Sequence, residues 1–177
     1  MMTFDNFKIN LMQPNESEAF FYLIENNRNR LEDFFAGTVA KTLTLEDALT
    51  YGEEIQERIS QQSYFPFLIT DTTTDTFVGL VDVKNISWDI PKAELGYFID
   101  ANYQGKGLTS KAFKLVIDYL IETYKFKKML CRVGSKNTAS INVALKNNFQ
   151  LEGTIRNDYK TTKGEIVDLN YYGRVFD

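Results

Sequence analysis

The sequence predicts a mixed α/β (α+β) fold, a mostly antiparallel central sheet with helices on both faces. Three observations predict it. Short apolar runs with strand-like alternation and longer stretches of 3.6-residue periodicity follow one another in the order β-α-α-β-β-β-α-β-α-β-β. Three consecutive strand runs, Tyr64 to Thr70, Phe77 to Ile86 and Ala93 to Ile99, are separated only by turn residues, the pattern of an antiparallel meander. The 177 residues, 44% hydrophobic and 25% charged, fit one domain over 1–177 that can bury a real core.

Phe7 to Leu11 is the first strand run, and Pro14-Asn15-Glu16-Ser17-Glu18 carries a cap residue with Glu18 three positions after Asn15, which predicts a helix from about Glu16 to Arg28. A second start signal at Thr44-Leu45-Glu46-Asp47 opens a helix whose face is Leu45, Ala48, Leu49, Gly52, Ile55 and Ile59. Between them, Phe34, Phe35 and Gly37 are either substrate contacts or staples that hold the two helices to the core. Asp71-Thr-Thr-Thr-Asp75 is a hairpin turn. After the meander, Leu108, Ala112, Leu115, Val116, Tyr119 and Leu120 line one face of a long helix. Strand Met129 to Val133, a shorter helix after Asn137, and strands Phe149 to Arg156 and Ile166 to Phe176 complete the chain.

Composition removes several function classes. Twenty Lys and Arg against 24 Asp and Glu give a net charge of -4, so no broad basic surface exists to drive nucleic-acid binding. With no His and one Cys, Cys131, a zinc site and every Ser-His or Cys-His pair fall away, and no metal is expected. No apolar run approaches the roughly 18 residues of a membrane span, and no signal peptide opens the chain. The expectation is a soluble protein of the reducing cytoplasm, without membrane or nucleic-acid partners.

The segment that carries chemistry runs from Tyr97 to Ser110. It joins a strand to the long helix through Gln104-Gly105-Lys106-Gly107-Leu108-Thr109. The unpaired N–H groups of a helix's first turn, with the helix dipole and Lys106, suit a phosphate or pyrophosphate; the alternative is a tight turn with an ordinary cap. The spacing is not that of a P-loop, and Ser110 stands where a Rossmann turn has its third glycine.

These residues resemble the acetyl-CoA pyrophosphate loop of the GNAT N-acetyltransferase superfamily, whose pattern is Gln/Arg-x-x-Gly-x-Gly/Ala. Downstream, Asn137-Thr-Ala-Ser140 followed by Phe149-Gln-Leu-Glu152-Gly153 is similar to the Asn-x-x-Ser … Gly-Phe-x-x-Glu-Gly signature of the RimJ/RimL-type branch, the ribosomal-protein N-terminal acetyltransferases. The resemblance covers the chain from about Phe77 onward. It implies the GNAT fold, with strands Ala93 to Ile99 and Met129 to Val133 splayed apart so that the pantetheine arm of acetyl-CoA lies between them. It also implies that the backbone of Phe98 and Ile99 bonds the arm's amides and that the N–H groups of Gly105 to Thr109 hold the pyrophosphate. There are departures. Thr109 replaces a Gly or Ala, Asn148 replaces the Gly before Phe149, and Ala144 stands where many members carry a Tyr that protonates the leaving thiolate.

Acyl transfer to an amine needs a neutral nucleophile and somewhere for its proton to go. Glu94, on the strand face opposite Ala93, Leu95, Tyr97 and Ile99, is either the base at the acceptor cleft or a surface carboxylate paired with Lys84 or Lys92. Ser140 resembles the serine assigned to thiolate protonation in the RimJ/RimL-type branch, or is an ordinary helix-start serine. Asn137 caps its helix beside the splayed strand and contacts the pantetheine arm. Cys131 reads as a packed core thiol, and Trp88 either walls the acceptor site or covers the sheet edge. Lys111, Lys114, Arg132 and Lys136 either meet the cofactor's ribose phosphate or are solvated.

The function implied is acetyl-CoA-dependent N-acetylation of a primary amine by direct transfer in a ternary complex. The acceptor is the N-terminal α-amine of a protein such as a ribosomal protein, or a small amine such as spermidine. Glu46, Asp47, Glu53, Glu54 and Glu57 either attract such a polycation or form a solvated helix face. A rival of another class is a non-catalytic CoA-binding or interaction protein. Fourteen per cent aromatic residues and Tyr171-Tyr172 on a terminal strand suit a homodimer.

Overall fold

The computed structural model describes residues 1–177. Eight strands form one sheet: β1 (Met2–Phe4), β2 (Phe7–Leu11), β3 (Phe65–Asp71), β4 (Thr76–Ser87), β5 (Lys92–Ile99), β6 (Lys128–Gly134), β7 (Gln150–Lys160) and β8 (Ile166–Val175). Their spatial order is β1-β2-β3-β4-β5-β6-β8-β7, and every neighbouring pair is antiparallel except β5 and β6. That parallel pair is joined by the crossover helix α5 (Leu108–Tyr124), as parallel strands require.

Alternation along the meander sorts its side chains onto two cores. Val81, Val83, Leu95, Tyr97 and Ile99 face α5 and α6 (Thr138–Lys146), where Phe113, Val116, Ile117 and Leu120 are buried at helical spacing. Leu68, Leu80 and Phe98 face the other side, against Phe20 and Ile24 of α1 (Ser17–Glu25) and Ile55 of α4 (Leu45–Ser60). Each such fully buried side chain contributes about 1.5–3 kcal/mol of burial free energy.

The start of α4 is as predicted. Thr44 Oγ1 accepts from the N–H of Asp47, and an Asp47 carboxylate oxygen accepts from the N–H of Thr44. The first helix differs. Its lead-in is a 3-10 turn, Pro14–Glu16, and the capping contact is the Gln13 N–H donating to the Glu16 carboxylate at 2.7 Å, not Asn15 with Glu18. The helix ends at Glu25, and Asn27 beyond it is buried, its amide donating to the carbonyl of Leu23 and to Asp100. Two short helices, α2 (Arg28–Leu31) and α3 (Ala36–Ala40), occupy the segment read as a connection, and β1 was not foreseen.

At the end of α6, Asn148 holds the left-handed conformation at φ 63. Its N–H donates to Leu145 and that of Phe149 to Ala144, the double closure of a Schellman motif. The cap thus survives loss of the family's glycine, as expected of Asn. Asn148→Ala is expected to lower stability by about 1 kcal/mol, while Asn148→Gly stays within about 0.5 kcal/mol of the parent, in urea unfolding.

Candidate active site

The site is a fork in the sheet. β5 and β6 pair only from Lys92, Ala93 and Glu94 to Lys128, Met129 and Leu130; beyond Glu94 the strands part. The N–H of Asp100 donates to Val78, so on β5 the even residues bond β4, and the odd ones, Leu95, Tyr97 and Ile99, turn their backbone toward the opening. Phe98 is therefore a correction. Its carbonyl lies on the β4 side, 2.8 Å from where a Cβ on Gly79 would stand, and its backbone is committed to Leu80. The groups free to bond a ligand's amides belong to Tyr97 and Ile99, and Arg30 reaches the Ile99 carbonyl at 3.3 Å.

A cleft of about 230 Å³ fills the fork. At one end is the glycine loop, with Gly105 and Gly107 at φ 74 and 73. None of the six N–H groups from Gly105 to Ser110 donates to a protein acceptor; the first helical bond of α5 is Lys111 to Gly107. Leu108 is buried and anchors the turn, Gln104 and Thr109 line the cleft, and Lys106 lies over the Tyr103 ring with its Nζ 3.3 Å from the Asn102 carbonyl. Six free donors at a helix N-terminus can hold a pyrophosphate.

Across the fork, Asn137 caps α6 by accepting from the N–H of Ser140 at 3.1 Å, as expected. Ser140 lines the cleft, and its carbonyl accepts from Tyr97 Oη at 2.7 Å. Burial pushes the Tyr97 phenol far above its ordinary pKa, so it stays a fixed donor.

The opposite wall is charged. Glu94 lines the cleft at the vertex with its side chain 12% exposed, and both of its donors, Arg132 Nε at 2.9 Å and Asn85 Nδ2 at 2.8 Å, bond Oε2. Neither lysine named as its partner pairs with it. Lys84 bonds Asp82, at 3.3 Å. Burial works against the Lys84 ammonium, but Asp82 and Glu94 more than offset that and hold its pKa above the usual lysine value. Burial likewise opposes the Arg132 charge, and Glu94 again overrides it. Phe34 and Phe35 both line the cleft; Phe35 is also a staple, packing edge-on against Phe98 at 5.2 Å, whereas Phe34 stays exposed.

Of the other candidates, Cys131 forms part of the inner wall of the cleft and the rest fall outside it. Cys131 is a packed core thiol, almost fully buried between Leu130 and Arg132 on β6, and burial, followed by the Glu94 charge, pushes its thiol well up. Trp88 stacks on Phe126 at 5.1 Å and donates to the Gln62 carbonyl, covering the sheet rather than walling the cleft. Lys111 pairs with Asp5 and Lys114 with Asp118. Of the α4 acids, Asp47 caps the helix, Glu54 pairs with Lys41, and none lines the cleft. No group of His, Cys, Asp and Glu side chains could hold a metal ion, and no helix is long and apolar enough to cross a membrane. Sequence reasoning missed Arg30 and Tyr159, which line the cleft, and Asp82, buried beneath Lys84; it named Lys84 only as a partner for Glu94. Asp82 and Lys84 did leave a signal, two charges on alternate positions of an apolar strand.

A family model described as an acetyltransferase (GNAT) domain matches residues 8–150. The probable N-acetyltransferase YjcK of Bacillus subtilis (strain 168) is 28% identical over 150 residues, covering 84% of this chain and 83% of that protein. The spermidine N(1)-acetyltransferase of Escherichia coli (strain K12) is 26% identical over 150 residues, 84% of this chain and 76% of that protein. The solved structure of RimL, a ribosomal L7/L12 alpha-N-protein acetyltransferase in complex with coenzyme A, superposes with a TM-score of 0.89 at 19% identity, over 97% of this chain and 95% of that one.

Proposed function

Because the chain belongs to the GNAT acetyltransferase family and is an N-acetyltransferase, we propose that it acetylates the N-terminal α-amine of a protein, with acetyl-CoA as donor and by direct transfer. The observation that carries the acceptor is the make-up of the cleft wall: Arg30, Lys84 and Arg132 against one lining carboxylate, Glu94. A polycation meets like charge there, whereas a peptide N-terminus brings carbonyl oxygens that such donors bind. The spermidine acetyltransferase among the relatives keeps the polyamine reading as the alternative to test.

Bound acetyl-CoA supplies an acetyl thioester, an electrophile already activated on arrival. The backbone of Tyr97 and Ile99 that faces the opening pairs with the arm's amides, Arg30 yielding or sharing the Ile99 carbonyl, and the N–H groups of Gly105 to Ser110, with Lys106, take the pyrophosphate. Asn137 holds the start of α6 against the arm. Glu94 receives the amine's proton at Oε1, the oxygen that neither Arg132 nor Asn85 occupies. Ser140 Oγ, with no protein partner of its own, donates to the departing sulfur. An α-amine, with a pKa near 7.7–8.0, is partly neutral at pH 7, so modest acid-base help suffices.

Thiol release from acetyl-CoA, measured across Ser- and Ala-starting peptides, free amino acids and spermidine, tests the reading. Peptides are expected to exceed spermidine in kcat/KM by at least tenfold. Turnover of spermidine alone would replace the α-amine by the polyamine reading.

A further inference from the structure

Asp82 and Lys84 stand two residues apart on β4, so both side chains leave the same sheet face, and that face floors the acceptor side of the fork. Asp82 is buried at 4% side-chain exposure. Its Oδ2 accepts from Lys84 Nζ at 3.3 Å and from Tyr64 Oη at 3.5 Å, while its Oδ1 finds no donor. Gly96, the cross-strand partner of Asp82, makes room for the pair: a Cβ there would lie 2.2 Å from Oδ1 and 3.0 Å from Lys84 Nζ.

A buried ion pair of this kind adds little net stability over apolar residues of the same size, and an unbonded carboxylate oxygen lowers even that. What the pair does is hold an ammonium still at the cleft floor. Phe35 covers it, with Nζ 5.4 Å from the ring centre. Asp82 uses one of its three N–H donors, and the others remain for a ligand. The cross-strand partner of Lys84 is Glu94. A fixed ammonium and a carboxylate thus stand side by side, at the spacing of directly opposed residues in a ladder.

We propose that Lys84 is a specificity-determining residue whose Nζ donates to the carbonyl oxygen of the acceptor's first residue while Glu94 receives its amine, so that the pair recognises an α-aminoacyl unit, N–Cα–C=O. The proposal rests on the α-amine reading above. Amine nitrogen and carbonyl oxygen of such a unit are roughly 3 Å apart, close enough for neighbouring side chains to bind both. A polyamine offers no oxygen to Lys84 and brings further ammonium groups toward it and Arg132.

The test compares two acceptors that share an amine-bearing carbon and methyl group and differ in the carbonyl, alaninamide and 2-aminopropane, in the parent, in Lys84→Met, and in Asp82→Asn/Lys84→Met, which leaves no buried carboxylate uncompensated. Taking variant over parent for each acceptor cancels their different amine pKa values. With alaninamide the double variant is expected to lose about 10- to 100-fold in kcat/KM, the worth of a hydrogen bond to a charged group, mostly through KM. Its loss on 2-aminopropane is expected to be at least fivefold smaller, with acetyl-CoA affinity near the parent's. Equal losses on both acceptors, or none on alaninamide, would overturn the role of Lys84. A parent enzyme that acetylates spermidine and no α-aminoacyl acceptor would instead overturn the α-amine reading.

Discussion

Gly107→Val is expected to weaken acetyl-CoA binding by roughly 100-fold, about 3 kcal/mol, with the fold retained. Nothing in the protein lies within 4 Å of a Cβ at this position, so the core does not object to the side chain. Two effects remain. At φ 73 a β-branched residue pays about 1–2 kcal/mol to stay left-handed, and the strain turns the N–H groups that follow away from a common anion. The isopropyl group also stands where the phosphate must approach, so one or two charge-assisted bonds, each worth about 1.5–3 kcal/mol, are lost. Calorimetry with acetyl-CoA measures it. Gly164→Val is the control, because Gly164 is equally left-handed, at φ 85, but lies in the β7–β8 turn; it should melt earlier and bind like the parent. Parental affinity in Gly107→Val would detach the pyrophosphate site from the loop.

Glu94→Gln is expected to lower kcat roughly 100-fold near neutral pH, the usual worth of a general base. The sign of its pH dependence follows from the acceptor: as pH rises through the α-amine pKa near 7.7–8.0, the nucleophile deprotonates unaided, so the deficit shrinks on the alkaline side and is largest below pH 7. Glu94 also holds Arg132 across the vertex of the fork, which a glutamine would do less well. Arg132→Met separates the two roles, because it breaks the contact and keeps the carboxylate. A proton acceptor predicts that Arg132→Met retains most of kcat, whereas a structural clasp predicts that both variants fail alike and lose acetyl-CoA affinity together.

Legibility in the sequence followed the range of the interaction. The α5 loop, the Asn137 cap and the left-handed Asn148 are local devices, each set within a few residues, and they stand where the motifs put them. The strands of the meander came from alternation, which tells which face a side chain takes. It does not tell which edge a backbone group takes. That depends on the neighbour with which the strand is in register, and so Phe98 was assigned an open edge that belongs to Tyr97. The short helices α2 and α3, four and five residues long, carry too little periodicity to be read. Glu94 with Arg132 joins residues 38 positions apart, while Lys84 with Asp82 sits on alternate positions of one strand and is within reach of the alternation rule.

The fork leaves two strand edges unpaired inside a sheet whose halves share only the short β5–β6 seam. Rows of free N–H and C=O groups are templates on which other chains add strands, the route to aggregation that soluble proteins suppress with charge at their edges. Arg30, bonded to the Ile99 carbonyl, and Arg132 on β6 place charge at these two edges. A ligand that pairs with the Tyr97–Ile99 edge guards it better, and by mass action it stabilises the folded chain by about 2.7 kcal/mol at a concentration 100 times its dissociation constant. Aggregation on heating is therefore expected to fall as acetyl-CoA is added, because one ligand would cover the seam and the proposed site together.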